Sequence, residues 1–243
     1  MALHFLVDDT DLTAASVDDV IDISGPEAHH AAVVRRVRPG EKVTVGDGRG
    51  IWIEAEVIAA APKQVRVRVE QRTDFVAPVR RITLVQALAK GDRDELAVQA
   101  ATELGVDEII PWQAARSVSR WDAAKSAKGV ARWQAIVREA SKQAHRPRLP
   151  TVASPLSTAQ LAAREGTKLV LEPTAPDRLS EHPLDHDADI LLIVGPEGGI
   201  APEEREILSS AGAVALRLGE TVLRTSTAGP AALALVNVRL GRW

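Results

Sequence analysis

From residue 81 onward the sequence alternates short apolar runs with helix-like stretches, and that rhythm limits the fold more than any other feature. "RITLVQALA" (81–89), "DEIIPW" (107–112), "TKLVLEP" (167–173), "ADILLIVG" (188–195) and "AVALRL" (213–218) read as strands. Their apolar residues run on without polar alternation, as in strands buried on both faces. Between them, residues 92–105, 122–145, 202–212 and 226–240 read as helices. Gly105 stops the first helix and Pro202 opens the third. Strands alternating with helices predict a mostly parallel sheet covered by helices.

Residues 1–72 have a different texture. "EKVTVGDG", "GIWIEAEVIAA" and "KQVRVRVEQ" alternate apolar and polar residues and are broken by Gly, Asp and Pro. "GDGRG" (46–50) predicts a hairpin turn. "GPEAHHAAVVRRVRPG" predicts a short helix ended by Pro39-Gly40. The expected organisation is a small β-barrel or sandwich over 1–72, a linker over 73–80 and an α/β domain over 81–243.

Composition narrows the chemistry. The chain has no Cys, which excludes disulfides, thiolate metal sites and a Cys nucleophile. The start "MALHFLVDDTD" has no basic n-region, and no apolar run nears the ~20 residues that span a bilayer, so a cytoplasmic protein with no membrane partner is expected. Net charge is −3, so any nucleic-acid role must come from local basic patches. Two exist: "VRRVRPGEK", and "RWQAIVREASKQAHRPRLP" (132–150), where Arg138, Lys142 and His145 or Arg146 fall on one helical face at i, i+4 and i+7 or i+8. A solvated helix face is the plain alternative for the second. His182 and His186 stand four apart, but Pro183 spoils the helical geometry of a metal pair, and no metal is expected.

The loop Gly195-Pro196-Glu197-Gly198-Gly199 ends an apolar strand, where α/β sheets bind ligands. A phosphate cradle offers bare N–H groups and often a Lys. Here Pro196 removes a donor and Glu197 adds a negative charge, so a ligand without phosphate is expected. A tight turn with Glu197 in water is the alternative. Downstream, Thr225, Ser226 and Thr227 offer N-cap hydroxyls for the last helix. Arg224 sits at the positive end of that helix, where a cation is unfavourable; it either serves a site or folds back onto a carboxylate such as Glu220.

"GPEGG" after an apolar strand, followed some twenty residues later by "LG-x-x-VLRT-x-TA", resembles the SPOUT RNA methyltransferases. More narrowly, the chain is similar to the family that methylates N3 of a uridine in 16S ribosomal RNA. "HAAVVRRVRPGE", Lys90 with "ATELGVDEIIP", and "RWQAIVREASKQAHRPRLP" extend the likeness over nearly the whole chain. The resemblance implies a trefoil-knotted α/β domain, a PUA-like N-terminal β-barrel, a homodimer, and the small ribosomal subunit as substrate. It implies S-adenosylmethionine as cofactor, held by Leu171, Glu172 and Pro173, by Gly195, Pro196, Glu197, Gly198 and Gly199, and by Leu218, Gly219, Leu223, Arg224, Thr225 and Ser226. Valine in place of Gly198 is then expected to fill the loop and block that cofactor. Arg224 is expected to stabilise the uridine anion, with Glu197 or Glu172 as base. His30, Arg36, Lys90, Lys142, Gln143 and Arg146 are the expected RNA contacts. Ser226 and Ala100 depart from the family, where Glu and Lys are common. Methylation of a tRNA base or a ribose 2′-OH, and a non-catalytic RNA-binding assembly factor, are the alternatives.

Overall fold

The computed structural model describes residues 2–185 and 187–243 and divides into two compact units. The first unit comprises Met1–Pro78 with Ser141–Leu149; the second comprises Val79–Ala140 with Pro150–Trp243.

The first unit is a five-stranded sheet in the order β1-β3-β4-β5-β2. Its strands are β1 (Leu3–Leu6), β2 (Val20–Ser24), β3 (Lys42–Gly46), β4 (Ile51–Ala61) and β5 (Gln64–Asp74). All neighbours are antiparallel except β1 with β3. Strict alternation on β5 buries Val65, Val67 and Val69 against Ile23, Val45 and Ile53 and leaves Arg66, Arg68 and Glu70 outside. The expected turn forms: Asp47 Oδ1 accepts the N–H groups of Arg49 (2.7 Å) and Ile51 (3.1 Å). The edge strands β1 and β2 are only four and five residues long, too short for a clear period, and the sequence did not mark them.

Helix α1 (Gly25–His29) widens into a π-helical turn (His30–Val34). It ends earlier than Pro39-Gly40: Arg36 turns left-handed at φ +55° and the Val37 N–H bonds back to Ala31 O at 3.1 Å. That hydrogen bond and the burial of Val37 in the barrel core stop the helix before the proline can.

Residues 141–149, expected within the α/β domain, pack instead on this sheet. The Leu149 N–H donates to Gly48 O (2.9 Å) and Arg148 Nε to Phe75 O (2.9 Å). Gly48 is required twice over: φ is +67°, and a Cβ would stand 2.6 Å from Leu149 Cδ1. Beside them His4 stacks on Trp52 with ring centres 4.2 Å apart, and His145 lies 6.0 Å from both. Burial, then the charges of His145 and Lys142, push the His4 imidazole down to about 3.

The second unit is a six-stranded parallel sheet in the order β11-β9-β10-β6-β7-β8. In chain order its elements are β6 (Ile82–Ala87), α2 (Arg93–Glu103), β7 (Glu108–Trp112), α3 (Ala123–Gln143, whose last residues belong to the first unit), β8 (Thr151–Val152) and α4 (Thr158–Ala162). There follow β9 (Thr167–Leu171), β10 (Ile190–Val194), α5 (Pro202–Ser210), β11 (Val214–Leu216) and α6 (Thr225–Arg239). The central strands β6, β7 and β10 are buried at every residue, as their unbroken apolar runs require. One face packs Leu84, Ile109 and Leu192 against Val98, Trp133 and Leu233; the other packs Val85, Ile110 and Ile193 against Leu161 and Leu208. Among the described residues no helix is long and apolar enough to cross a membrane.

Candidate active site

The carboxyl ends of β9, β10 and β11 open into a cavity of about 510 Å³. This is the ligand edge of an open parallel sheet. Its walls come from three segments. Leu171, Glu172, Pro173 and Thr174 follow β9. Gly195, Pro196, Glu197, Gly199 and Ile200 follow β10. Leu218, Gly219, Thr221, Val222, Leu223, Arg224 and Thr225 lead from β11 into α6. Residues widely separated in sequence thus meet in one pocket, and twelve of the fourteen expected cofactor residues line it.

Gly198 and Ser226 do not. A Cβ on Gly198 would meet Arg116 Cβ at 3.4 Å, an ordinary contact outside the cavity. Valine there would press on the neighbouring loop, so the expected filling of the pocket is corrected. The glycine the turn needs is Gly199, with φ +73° and its N–H bonded to Pro196 O at 2.9 Å.

Glu197 is exposed, but its carboxylate is engaged. Its Oε1 accepts the Lys90 backbone N–H and the Arg93 guanidinium, both at 3.2 Å. The carboxylate ties the loop after β10 to the loop after β6, and its charge is matched by Arg93 rather than held free as a base. Glu172 is engaged as well: Oε1 accepts the Thr174 hydroxyl at 3.1 Å, and Oε2 lies 3.9 Å from Arg205. Arg93 itself lines the pocket. The sequence carried its signal, a cation at the start of the helix that follows β6, close to the ligand edge of the sheet.

Arg224 caps α6 in an extended conformation (φ −66°, ψ 155°) and is exposed at the pocket wall. It does not fold back onto Glu220, whose carboxylate takes Arg178 at 2.7 Å. Next to it Thr225 is buried, with no partner for Oγ1 among the described residues. A buried hydroxyl at a pocket wall without a partner is a group awaiting a ligand.

Two buried carboxylates hold the loops. Glu204 Oε1 accepts the Ala115 N–H (2.9 Å) and the Thr158 hydroxyl (2.6 Å), while Oε2 accepts the Ala201 N–H (3.3 Å). Asp94 accepts the Ala89 N–H at 3.2 Å and the Glu95 N–H at 2.9 Å. Burial pushes the Asp94 carboxyl up, against the pull of those N–H groups.

The expected RNA contacts scatter. Lys142 is corrected: it is 5% exposed, with Nζ on Glu27 Oε1 at 2.9 Å, so it belongs to a buried ion pair and not to a solvent stripe. Arg146 does not continue the helical face, because α3 ends at Gln143 and the chain turns left-handed at His145 (φ +51°). His30 is half-buried, with its ring edge toward Phe5. Arg36, Gln143 and Lys90 are exposed. His186 of the weighed metal pair lies outside the described residues.

Residues 76–237 match the RNA methyltransferase domain family, and residues 23–70 match the RNA methyltransferase PUA domain. The chain belongs to the RNA methyltransferase family. The ribosomal RNA small subunit methyltransferase E of Mycobacterium bovis is 45% identical over 100% of this chain and 94% of its own length. The protein of the same name from Bacillus subtilis is 30% identical over 93% of this chain and 94% of its own. A crystal structure of a ribosomal RNA small subunit methyltransferase E from Neisseria gonorrhoeae, bound to S-adenosyl methionine, superposes with a TM-score of 0.86 at 29% identity, covering 98% of each chain. As an RNA methyltransferase the chain combines the expected α/β sheet with a PUA-like, mostly antiparallel one.

Proposed function

We propose that this RNA methyltransferase transfers a methyl group from S-adenosylmethionine to N3 of one uridine in 16S ribosomal RNA of the small subunit. The observation that carries the reading is Arg224, exposed without an ion-pair partner among the described residues, on the wall of the pocket. The names of the relatives support the substrate class.

The pocket residues suit the cofactor. Leu171, Val194, Ile200, Leu218 and Leu223 give an apolar wall for a nucleoside, and Thr225 Oγ1 is free to bond a polar edge. Pro196 withholds a backbone N–H that a phosphate cradle would use, while the Glu197 carboxylate is taken by Arg93. S-adenosylmethionine supplies an already activated methyl group on a sulfonium. The chain must therefore deal with the acceptor. The N3 proton of uridine is about two to three units too weakly acidic at neutral pH, an ionisation cost of about 3–4 kcal/mol. Arg224 offers a permanent positive charge to O2 or O4 of the anion. N3 lies on the pairing edge, so the base must be unpaired or flipped toward the pocket.

The same reading assigns residues 1–72 to RNA grip, 73–80 to a linker and 81–243 to methyl transfer. It includes a homodimer, for which exposed Val222 and Val238 offer apolar contact. It also includes a trefoil knot in the α/β unit. The test is a labelled-methyl assay on small subunits lacking the modification, with mass mapping of the product. Arg224→Ala is expected to abolish transfer while cofactor affinity stays within a few-fold. Loss of both together would end the anion-stabilising role.

A further inference from the structure

The loops at the carboxyl edge of the parallel sheet differ in charge. The connection after β9 opens with Glu172 and Asp177, while Asp189, at its far end, pairs with Arg81 at the amino edge. On the other side of β10, the loop after β7 reads "QAARSVSRW" (113–121), with Arg116, Arg120 and no acid. Asp122, next in the chain, is taken by Lys125 through its backbone N–H at 2.9 Å and its ammonium at 3.6 Å. The loop after β6 adds exposed Lys90.

Both arginines of the β7 loop are exposed yet held. Arg116 Nη1 donates to Gly198 O at 3.2 Å, and Arg120 Nη2 to Ala115 O at 3.0 Å. Each guanidinium spends one N–H on a neutral carbonyl and keeps its full charge, with no carboxylate partner among the described residues. Buried Glu204 fixes the loop beneath them at Ala115. The arginine pair is therefore pre-positioned beside the loop that walls the cofactor pocket.

We propose that Arg116 and Arg120 bind two backbone phosphates of the RNA strand flanking the target nucleotide, which enters over the β6 and β7 loops. The proposal rests on the RNA-methylating reading above and names the surface that reading uses. Guanidinium forks suit phosphate oxygens, and an arginine already tethered loses less freedom on binding. Such contacts release counterions, so each adds about 0.7–0.9 to the salt slope of binding.

The experiment compares wild type, Arg120→Ala, and Arg116→Ala with Arg120→Ala combined. It measures subunit methylation, binding to free 16S RNA at several salt concentrations, and cofactor affinity by calorimetry. The double variant is expected to raise the KM for subunits about tenfold or more and to lower the salt slope of RNA binding by about 1.5. Arg120→Ala should lose about half of that slope change with cofactor affinity unmoved, and Arg120→Lys should recover most of it. An unchanged salt slope in the double variant overturns the proposal. So does weakened cofactor binding at an unchanged slope, which would make the arginines loop tethers. A wild type that binds RNA but methylates nothing fails the functional reading alone, while the salt slopes still judge the arginines.

Discussion

Glu204 is the side chain whose removal should reach furthest from its own position. In Glu204→Ala the Ala115 N–H, the Thr158 hydroxyl and the Ala201 N–H all lose their acceptor. The first two bonds are short and made to a carboxylate that is 6% exposed, so each loss costs about 1–2 kcal/mol; the third, at 3.3 Å, costs less. Relief of the buried charge and entry of water return part of this. The expected net loss is about 3 kcal/mol. Glu204→Gln should lose roughly half as much, because an amide oxygen can keep Ala115 and Thr158 while its NH2 group faces the Ala201 N–H. Urea unfolding gives the stability, and calorimetry the cofactor affinity. The loop after β10, which walls the pocket and is held at Ala201, should loosen, so cofactor affinity should fall with stability. Trp112 offers a local reporter, since its indole N–H donates to Thr158 Oγ1 at 3.2 Å. If both variants matched wild type within 0.5 kcal/mol, the carboxylate would not be holding the loops.

Other substitutions test other layers. His4 is depressed to about 3 from the usual 6.5, so the fold keeps it neutral; the stability this gives is complete above pH 6.5 and drains as pH falls toward 3. Hydrogen exchange in β1 and β3 of the wild type should accelerate through that window by an amount worth about 3 kcal/mol at pH 4, whereas His4→Gln, which can still bond Thr44, should show a flat profile there. Gly229→Ala sets two effects against each other. A helix gains about 1 kcal/mol from the change. Here, however, the new Cβ would stand 2.7 Å from Leu84 Cδ1, in a fully buried layer, and overpacking costs about 1–3 kcal/mol. A small net destabilisation is expected in urea, and a stabilised variant would contradict the close approach of α6 to β6.

Particular residues show why some of this was legible in advance. The runs "ILLIV" and "ITLVQA" can only be strands buried on both faces, and "GDGRG" can only turn. Those outcomes are local, set by side-chain period and backbone preference. The capping box of Ser157 and Gln160 was equally local and went unread, because α4 is only five residues long. The composition of the pocket was half legible: the end of β10 and the start of α6 each carried a motif, and the carboxyl edge of a parallel sheet is where such motifs converge.

By itself, then, the sequence determined a parallel α/β unit with a β-rich partner, and a loop at the end of β10 where a ligand would bind. Tertiary structure alone decided which charges are free. Lys142 and Glu27 are 115 residues apart and become a buried pair only once both are packed together. Glu197 meets Arg93, 104 residues away, and stops being a lone carboxylate. Residues 141–149 read as the end of a helix and a loop, yet they complete the first unit. A charge in water and a charge in a buried pair have the same sequence signature; their energies differ only through what the chain brings beside them.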